Sequence, residues 1–193
     1  MIKRIAELHQ RLFAAIERGL ADWFPALLAR LIFAGVLLVY FLNSAMTKIG
    51  EGIFGIFNLT DKAYAQILPS VMERHGYDAS QISFPYDLVV HLGTYSEILL
   101  PTLIVLGLFT RLAALGMIVF VIVQSYVDIA FHDVEKETIG AWFDRLPDAA
   151  IFDQRALWFF LLAYLVIYGA GRISLDYLLQ RRLVNGTVPA QST

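Results

Sequence analysis

Cysteine is absent from the chain, so its own side chains cannot form a disulfide, a thiolate zinc site, a cysteine-ligated iron–sulfur cluster or a thiol relay. Chemistry of that kind needs a partner. Charge is scarce as well: Asp, Glu, Lys and Arg make up 17% of the residues and the formal net charge is -2. That leaves no continuous basic face to neutralise a phosphate backbone, and nucleic acid is set aside as a partner. There is no phosphate-cradling glycine loop, dinucleotide fingerprint, nucleophile elbow or H-E-x-x-H pair, no low-complexity segment and no repeat. Apolar residues are in excess, at 58% hydrophobic with a mean hydropathy of +0.63. A soluble domain of this length is not so apolar, and the composition points to a lipid bilayer as the solvent.

The pattern along the chain predicts an all-α membrane protein, a bundle of four transmembrane helices preceded by an amphipathic interfacial helix. In residues 1–24, Ile5, Leu8, Leu12, Ile16, Leu20 and Trp23 recur at three- and four-residue steps, with Lys3, Arg4, Arg11 and Arg18 mostly off that stripe. A basic face and a terminal tryptophan suit a helix in the headgroup layer, and packing on a soluble partner is the alternative. Spans are expected at about 26–46, 86–108, 112–131 and 156–171 within a membrane domain of residues 25–180, followed by a tail, 181–193. Charged sequence precedes the first apolar run and no A-x-A site follows it, so the run reads as a retained span rather than a signal peptide. Only Phe109-Thr110-Arg111 separates the second and third spans, which makes them an antiparallel hairpin. Two longer outer loops remain. The aromatic loop 47–85 has a short helix expected between Thr60-Asp61 and Pro69, folding over the bundle mouth. The loop 132–155 is acidic and solvated.

Nine of the 15 Lys and Arg residues fall in short segments on the side of the N-terminus (Lys3, Arg4, Arg11, Arg18, Arg30, Arg111, Arg172, Arg181, Arg182) and six in the longer loops. The positive-inside rule then places both ends in the cytoplasm.

Glu97 lies near the middle of the second span, where a carboxylate must be protonated, paired or hydrated. It reads either as a proton-handling group or anchor for a buried ligand, or as a structural acid tying helices together. Gln124, Asp128 and His132 follow at four-residue steps on one face of the third span, and Asp87 and His91 share that spacing on the second. If the faces meet, Asp87, His91, Asp128 and His132 have the ligand types of a zinc or copper site, or serve proton exchange with a ligand headgroup. Interfacial placement is the plainer alternative. Lys48 either supplies a cation to this cluster or snorkels. At the other end, Arg30, Arg111, Arg172 and Asp176 share one level, where arginines anchor helices and bind lipid phosphate.

Three segments together resemble the DoxX family: Arg30-Leu-Ile-Phe-Ala-Gly35 leading to Lys48, Glu97-x9-Gly107-Leu-Phe-Thr-Arg111-Leu-Ala-Ala114, and Gly169-Ala-Gly-Arg-Ile-Ser-Leu-Asp176. The likeness runs over roughly residues 25–180. It implies a four-helix protein of a bacterial or archaeal cytoplasmic membrane, with relatives that form the membrane subunit of a thiosulfate:quinone oxidoreductase or join complexes linked to oxidative-stress defence. Arg30, Glu97, Arg111, Arg172 and Asp176 match the family's recurrent polar positions. Without cysteine no persulfide forms on this chain, so sulfur chemistry would fall to another subunit.

The leading expectation is a membrane subunit of a redox complex that holds a quinone in the bundle. Glu97 and His91 are the candidates for managing its protons, and Arg30, Lys48, Gln124 and Asp128 for holding it. Expected partners are the bilayer, a subunit carrying the redox centre, and a second copy of the chain. The alternatives are a non-catalytic anchor or transport-associated protein, and a small metal-handling protein built on the His/Asp cluster.

Overall fold

The computed structural model describes residues 2–186. Residues 187–193, most of the expected tail, lie outside the described residues. Helix α1 covers Ile2–Leu20 and its apolar stripe is exposed from Ile5 to Ile16 and half-buried at Leu20. Helix α2 covers Phe24–Met46, 23 residues, with Pro25 in its first turn, where a missing N–H costs nothing. At 1.5 Å per residue it is about 34 Å long, enough for a hydrocarbon core of about 30 Å.

Between Ala34 and Leu38 this helix is π-helical, and the sequence accounts for it. Its buried positions Phe33, Leu37, Phe41 and Ala45 are four residues apart. Three such steps drift by about 120° in a helix of 3.6 residues per turn. The wider i→i+5 winding takes up drift, so all four residues face the same neighbours and Lys48 follows them inward.

Two short helices form in the loop that follows, α3 (Asp61–Ile67) and α4 (Pro69–Arg74). Pro69 ends one and begins the next. Thr60 does not cap α3 through its side chain, which donates instead to the carbonyls of Thr47 and Lys48. Ala63, Tyr64, Val71, Met72 and Ile82 pack with Val90 of the next span into a small core, so this loop is folded onto the bundle.

Helix α5 (Tyr86–Leu106) and helix α6 (Thr110–Phe131) form the hairpin. It turns on Gly107, which is left-handed at φ 69° and lies so close to Arg30 and Ser174 that a Cβ would collide with both. With α2, these are the three helices among the described residues that are long and apolar enough to cross a membrane, and the protein is a membrane protein.

After a loop containing the single turn α7 (Lys136–Ile139), helix α8 runs over Phe152–Tyr168 and α9 over Leu175–Gly186. Helix α8 has 17 residues, about 25 Å, short of the hydrocarbon thickness. It starts and stops earlier than the expected 156–171, because Gly169 and Gly171 adopt positive φ and break the chain before it can continue into α9. Helix α8 packs along α6 and against α2, and the main core joins Phe33, Leu37 and Phe41 of α2, Ile104 of α5, Met117 and Val121 of α6, and Leu162 and Leu165 of α8. Among the described residues there is no strand, only an isolated bridge between Ile49 and Leu59.

Candidate functional site

Ser44 in the last turn of α2 and Lys48, two residues past its end, are four residues apart and lie on one side, and that side meets Glu97 of α5. The Lys48 ammonium donates to Glu97 Oε2 at 2.8 Å and Oε1 at 3.0 Å, and to Ser44 Oγ at 2.7 Å. Ser44 Oγ in turn donates to Glu97 Oε1 at 3.2 Å. Lys48 is 2% exposed and Glu97 5%, so each charge depends on the other: unpaired, either would cost several kcal/mol to desolvate. Pro101, four residues beyond Glu97 in α5, has no N–H to give the Glu97 carbonyl and leaves it without its intrahelical donor.

The pair forms one wall of a cavity of about 470 Å³ between the loop-side halves of α5 and α6. Its polar lining, apart from the roof, is Ser44, Lys48, Ser96, Glu97, Gln124, Asp128 and His132. The remainder is largely valine, leucine and glycine, and Gln66 and Ile67 of α3 roof it. Gln124, Asp128 and His132, at four-residue steps on α6, thus line the same cavity as Glu97. Gln124 Nε2 donates to Tyr40 Oη at 2.9 Å, while its Oε1 is buried with no hydrogen-bond partner. His132 is within 3.1 Å of the Gln66 carbonyl, which ties the roof to the end of α6.

The expected convergence of Asp87, His91, Asp128 and His132 does not occur. Among the described residues no three His, Asp or Glu side chains gather where they could hold a metal. His91 stays beside its own helix partner Asp87, 3.4 Å away, and Asp87 accepts from Tyr64 Oη at 2.5 Å. Burial first, and this carboxylate second, push the Tyr64 hydroxyl up to about 12. Asp128 is taken by Arg155 of α8, which reaches it at 2.5 Å and Ser125 Oγ at 2.7 Å. Helical spacing fixes which residues share a face but not how two helices rotate against each other, and the metal expectation failed on that rotation. Arg155, 6% exposed and set over the Trp158 ring, was assigned to the solvated loop in the sequence; it is inside α8. His91 does not line the cavity.

Arg30 is also corrected. It lies at the turn end of the bundle, away from this cavity, with four of its five N–H donors on backbone carbonyls: Nε to Ile104 O at 3.1 Å, one terminal nitrogen to Val105 O at 2.7 Å, the other to Ala170 O at 3.3 Å and Ile173 O at 2.5 Å. A guanidinium so engaged clamps chain ends, and it does not line the loop-end cavity. Asp176 caps α6 by accepting from the N–H groups of Phe109 at 2.7 Å and Thr110 at 3.0 Å. A larger cavity of about 620 Å³ at this end is lined by Arg111, Arg172 and Asp176. Arg172 there is paired with Asp22 at 2.6 Å, both side chains exposed, whereas the charged pair of the loop-end cavity is buried.

The family model for DoxX matches residues 25–132, more than half of the chain. The chain belongs to the DoxX family. The match takes in α2, α5 and α6, hence Arg30, Lys48, Glu97 and the whole polar wall of the loop-end cavity. It stops short of α8, so the DoxX assignment does not rest on Arg155 or on the Gly169–Asp176 segment. No curated protein and no solved structure matches this DoxX sequence.

Proposed function

We propose that this protein is the membrane subunit of a redox complex and holds a quinone-class ligand in the loop-end cavity, beside Lys48 and Glu97. The observation that carries the reading is a buried, charged, hydrogen-bonding pair walling a space of about 470 Å³ that is otherwise mainly apolar. Ligand sites have this composition, apolar surface with a few convergent polar groups. The free groups fit the ring hydroxyls of the reduced, quinol form, which donate. Glu97 carboxylate oxygens keep lone pairs beyond those used by Lys48 and Ser44, and Gln124 Oε1 is a second acceptor without a donor.

A quinone supplies reversible uptake of two electrons and two protons, the electrons exchanged with a redox centre on a partner subunit, since this chain has no cysteine to hold a cluster. The chain's part is to bind and to move protons. Across the 2.8 Å contact one proton sits on Lys48 Nζ or on Glu97 Oε2, which lets the pair pass a proton without creating an isolated charge in the bilayer. Gln124 and Ser44 orient the head group, and Gln66 and Ile67 keep bulk water from the loop end out.

Mass spectrometry of small molecules that co-purify with the full-length protein in native membrane patches tests this. A quinone is expected with the native protein and is depleted in a Glu97→Gln variant that folds normally; equal quinone in both, at the level of the surrounding lipid, contradicts it.

The same proposal includes a bundle of four spans, with α8 crossing in a locally thinned bilayer as Ile151 and the segment after Gly169 reach the interfaces. It places α1 in the headgroup layer, because its exposed apolar stripe has no protein to cover it among the described residues. Both termini are then cytoplasmic, following the Lys and Arg distribution. A reporter active only in the cytoplasm should work when fused after Arg182, and one active only outside should work near Glu137. The opposite pattern overturns the orientation.

One observation favours a second reading, a non-catalytic anchor: Ser44 and Glu97 already satisfy the donors of Lys48, as a purely structural tie between α2 and α5 would require.

A further inference from the structure

The cavity's rim differs from its roof. Val89 and Leu92 of α5 and Val119 and Val123 of α6 line it, yet all four are exposed on the outside of the bundle. They belong to helices apolar enough to cross a membrane, so this side of the cavity faces hydrocarbon. Gly93 adds no side chain to the gap, and the Cβ it lacks would press on Ile67 of the roof. Gly116 lets α6 close on Leu100, which bounds the gap on the side of the hairpin turn. The loop end, in contrast, is roofed by α3. Gln66 and Ile67 lie across it, held by His132 to the Gln66 carbonyl at 3.1 Å and by Tyr64 to Asp87 at 2.5 Å. The charged wall of Lys48 and Glu97 sits opposite the valine rim.

From this we infer that the ligand is a bilayer-dissolved amphiphile that enters head-first between α5 and α6 and leaves its apolar tail lying in the seam formed by Leu92, Val119 and Val123. The inference rests on the reading of the cavity as a quinone-class site and adds to it the route and the second half of the ligand. Polar head and apolar tail match the two ends of the space: acceptors at depth, branched aliphatics at the mouth. A water-borne ligand would have to displace the roof. One arriving from lipid has to part only apolar side chains.

Two probes separate head from tail: a dimethoxy-methyl-benzoquinol with no tail, and the same ring with a decyl tail, each titrated under reducing conditions into full-length protein in nanodiscs. Val119→Trp and Leu92→Trp add bulk at exposed seam positions, where neither touches the Lys48–Glu97 pair. The tailed probe is expected to lose about tenfold in affinity, the equivalent of roughly two methylenes losing contact, while the tail-less probe binds as before. Unchanged binding of both probes overturns the seam, and so does equal loss of both in a folded variant, because the substituted residues would then belong to the head site. A photoreactive group at the tail's end, used on the unaltered protein, gives an answer independent of either variant. Labelling of the Val89–Leu92 and Val119–Val123 segments supports the route, and labelling of α3 contradicts it. If the unaltered protein binds neither probe, the quinone-class reading itself fails and the entry route falls with it.

Discussion

Glu97→Ala is expected to lower stability by about 3–5 kcal/mol, the scale for removing one partner of a buried ion pair and stranding the other. Lys48→Met should cost a similar amount for the same reason. The stranded group is the source of the loss: a lone ammonium, or a lone carboxylate, 2–5% exposed between helices in lipid. The double variant Lys48→Met/Glu97→Leu leaves no charge behind and fills the space with apolar atoms, so it should recover most of the loss, because apolar replacements of buried pairs are often neutral or stabilising. Glu97→Gln should fall between, since the amide still accepts from Lys48 but leaves its charge uncompensated. Unfolding by denaturing detergent, followed by circular dichroism, measures all four. Single variants that cost about 0.6 kcal/mol, the average for interhelical hydrogen bonds in membranes, would show that water reaches the pair and that it is not buried as a charge.

Arg30→Ala carries the second large expected effect, a loss of about 3 kcal/mol or more. Hydrogen bonds to a charged group contribute roughly 1.5–3 kcal/mol each, less what the freed carbonyls regain from water near the bundle end. Four backbone carbonyls are involved. Those of Ile104 and Val105 belong to the last turn of α5, where helical N–H donors run out, although Ile104 O also accepts from the Gly107 N–H at 3.1 Å. Those of Ala170 and Ile173 fix the connection from α8 to α9. Arg30→Lys keeps the charge but has no planar fork to span acceptors on two segments, and should recover less than half of the loss. The same unfolding assay reads it. Arg30→Ala within about 0.5 kcal/mol of the native protein, the range of ordinary surface substitutions, would mean the clamp is not a stabilising element.

The family and the three apolar spans were legible in the sequence because hydropathy and short motifs are local. Glu97 was legible as a charge inside an apolar run, and the Gln124, Asp128, His132 face as a four-residue period. The partner of Glu97 was not, because Lys48 lies 49 residues away, just past the end of its helix, where a lysine ordinarily snorkels to the surface. What turns it inward is the π-helical stretch at Ala34–Leu38, whose only trace in the sequence is a row of apolar residues four apart. Arg155 was hidden by its acidic neighbours Asp144, Asp148 and Asp153, which made the segment read as loop, although its depth matches that of Asp128 once α8 is known to start at Phe152. Arg30 leaves no signal of its role at all, since its acceptors are carbonyls that every residue carries.

The Lys48–Glu97 pair is proposed to recognise a ligand as well as tying α2 to α5. The test is saturable binding of the decyl-tailed benzoquinol to the native protein and to Lys48→Met/Glu97→Leu, both in nanodiscs and both shown to be folded. Saturable binding is expected with the native protein and only linear partitioning with the double variant. Identical saturable curves for the two, or linear partitioning with both, would contradict it.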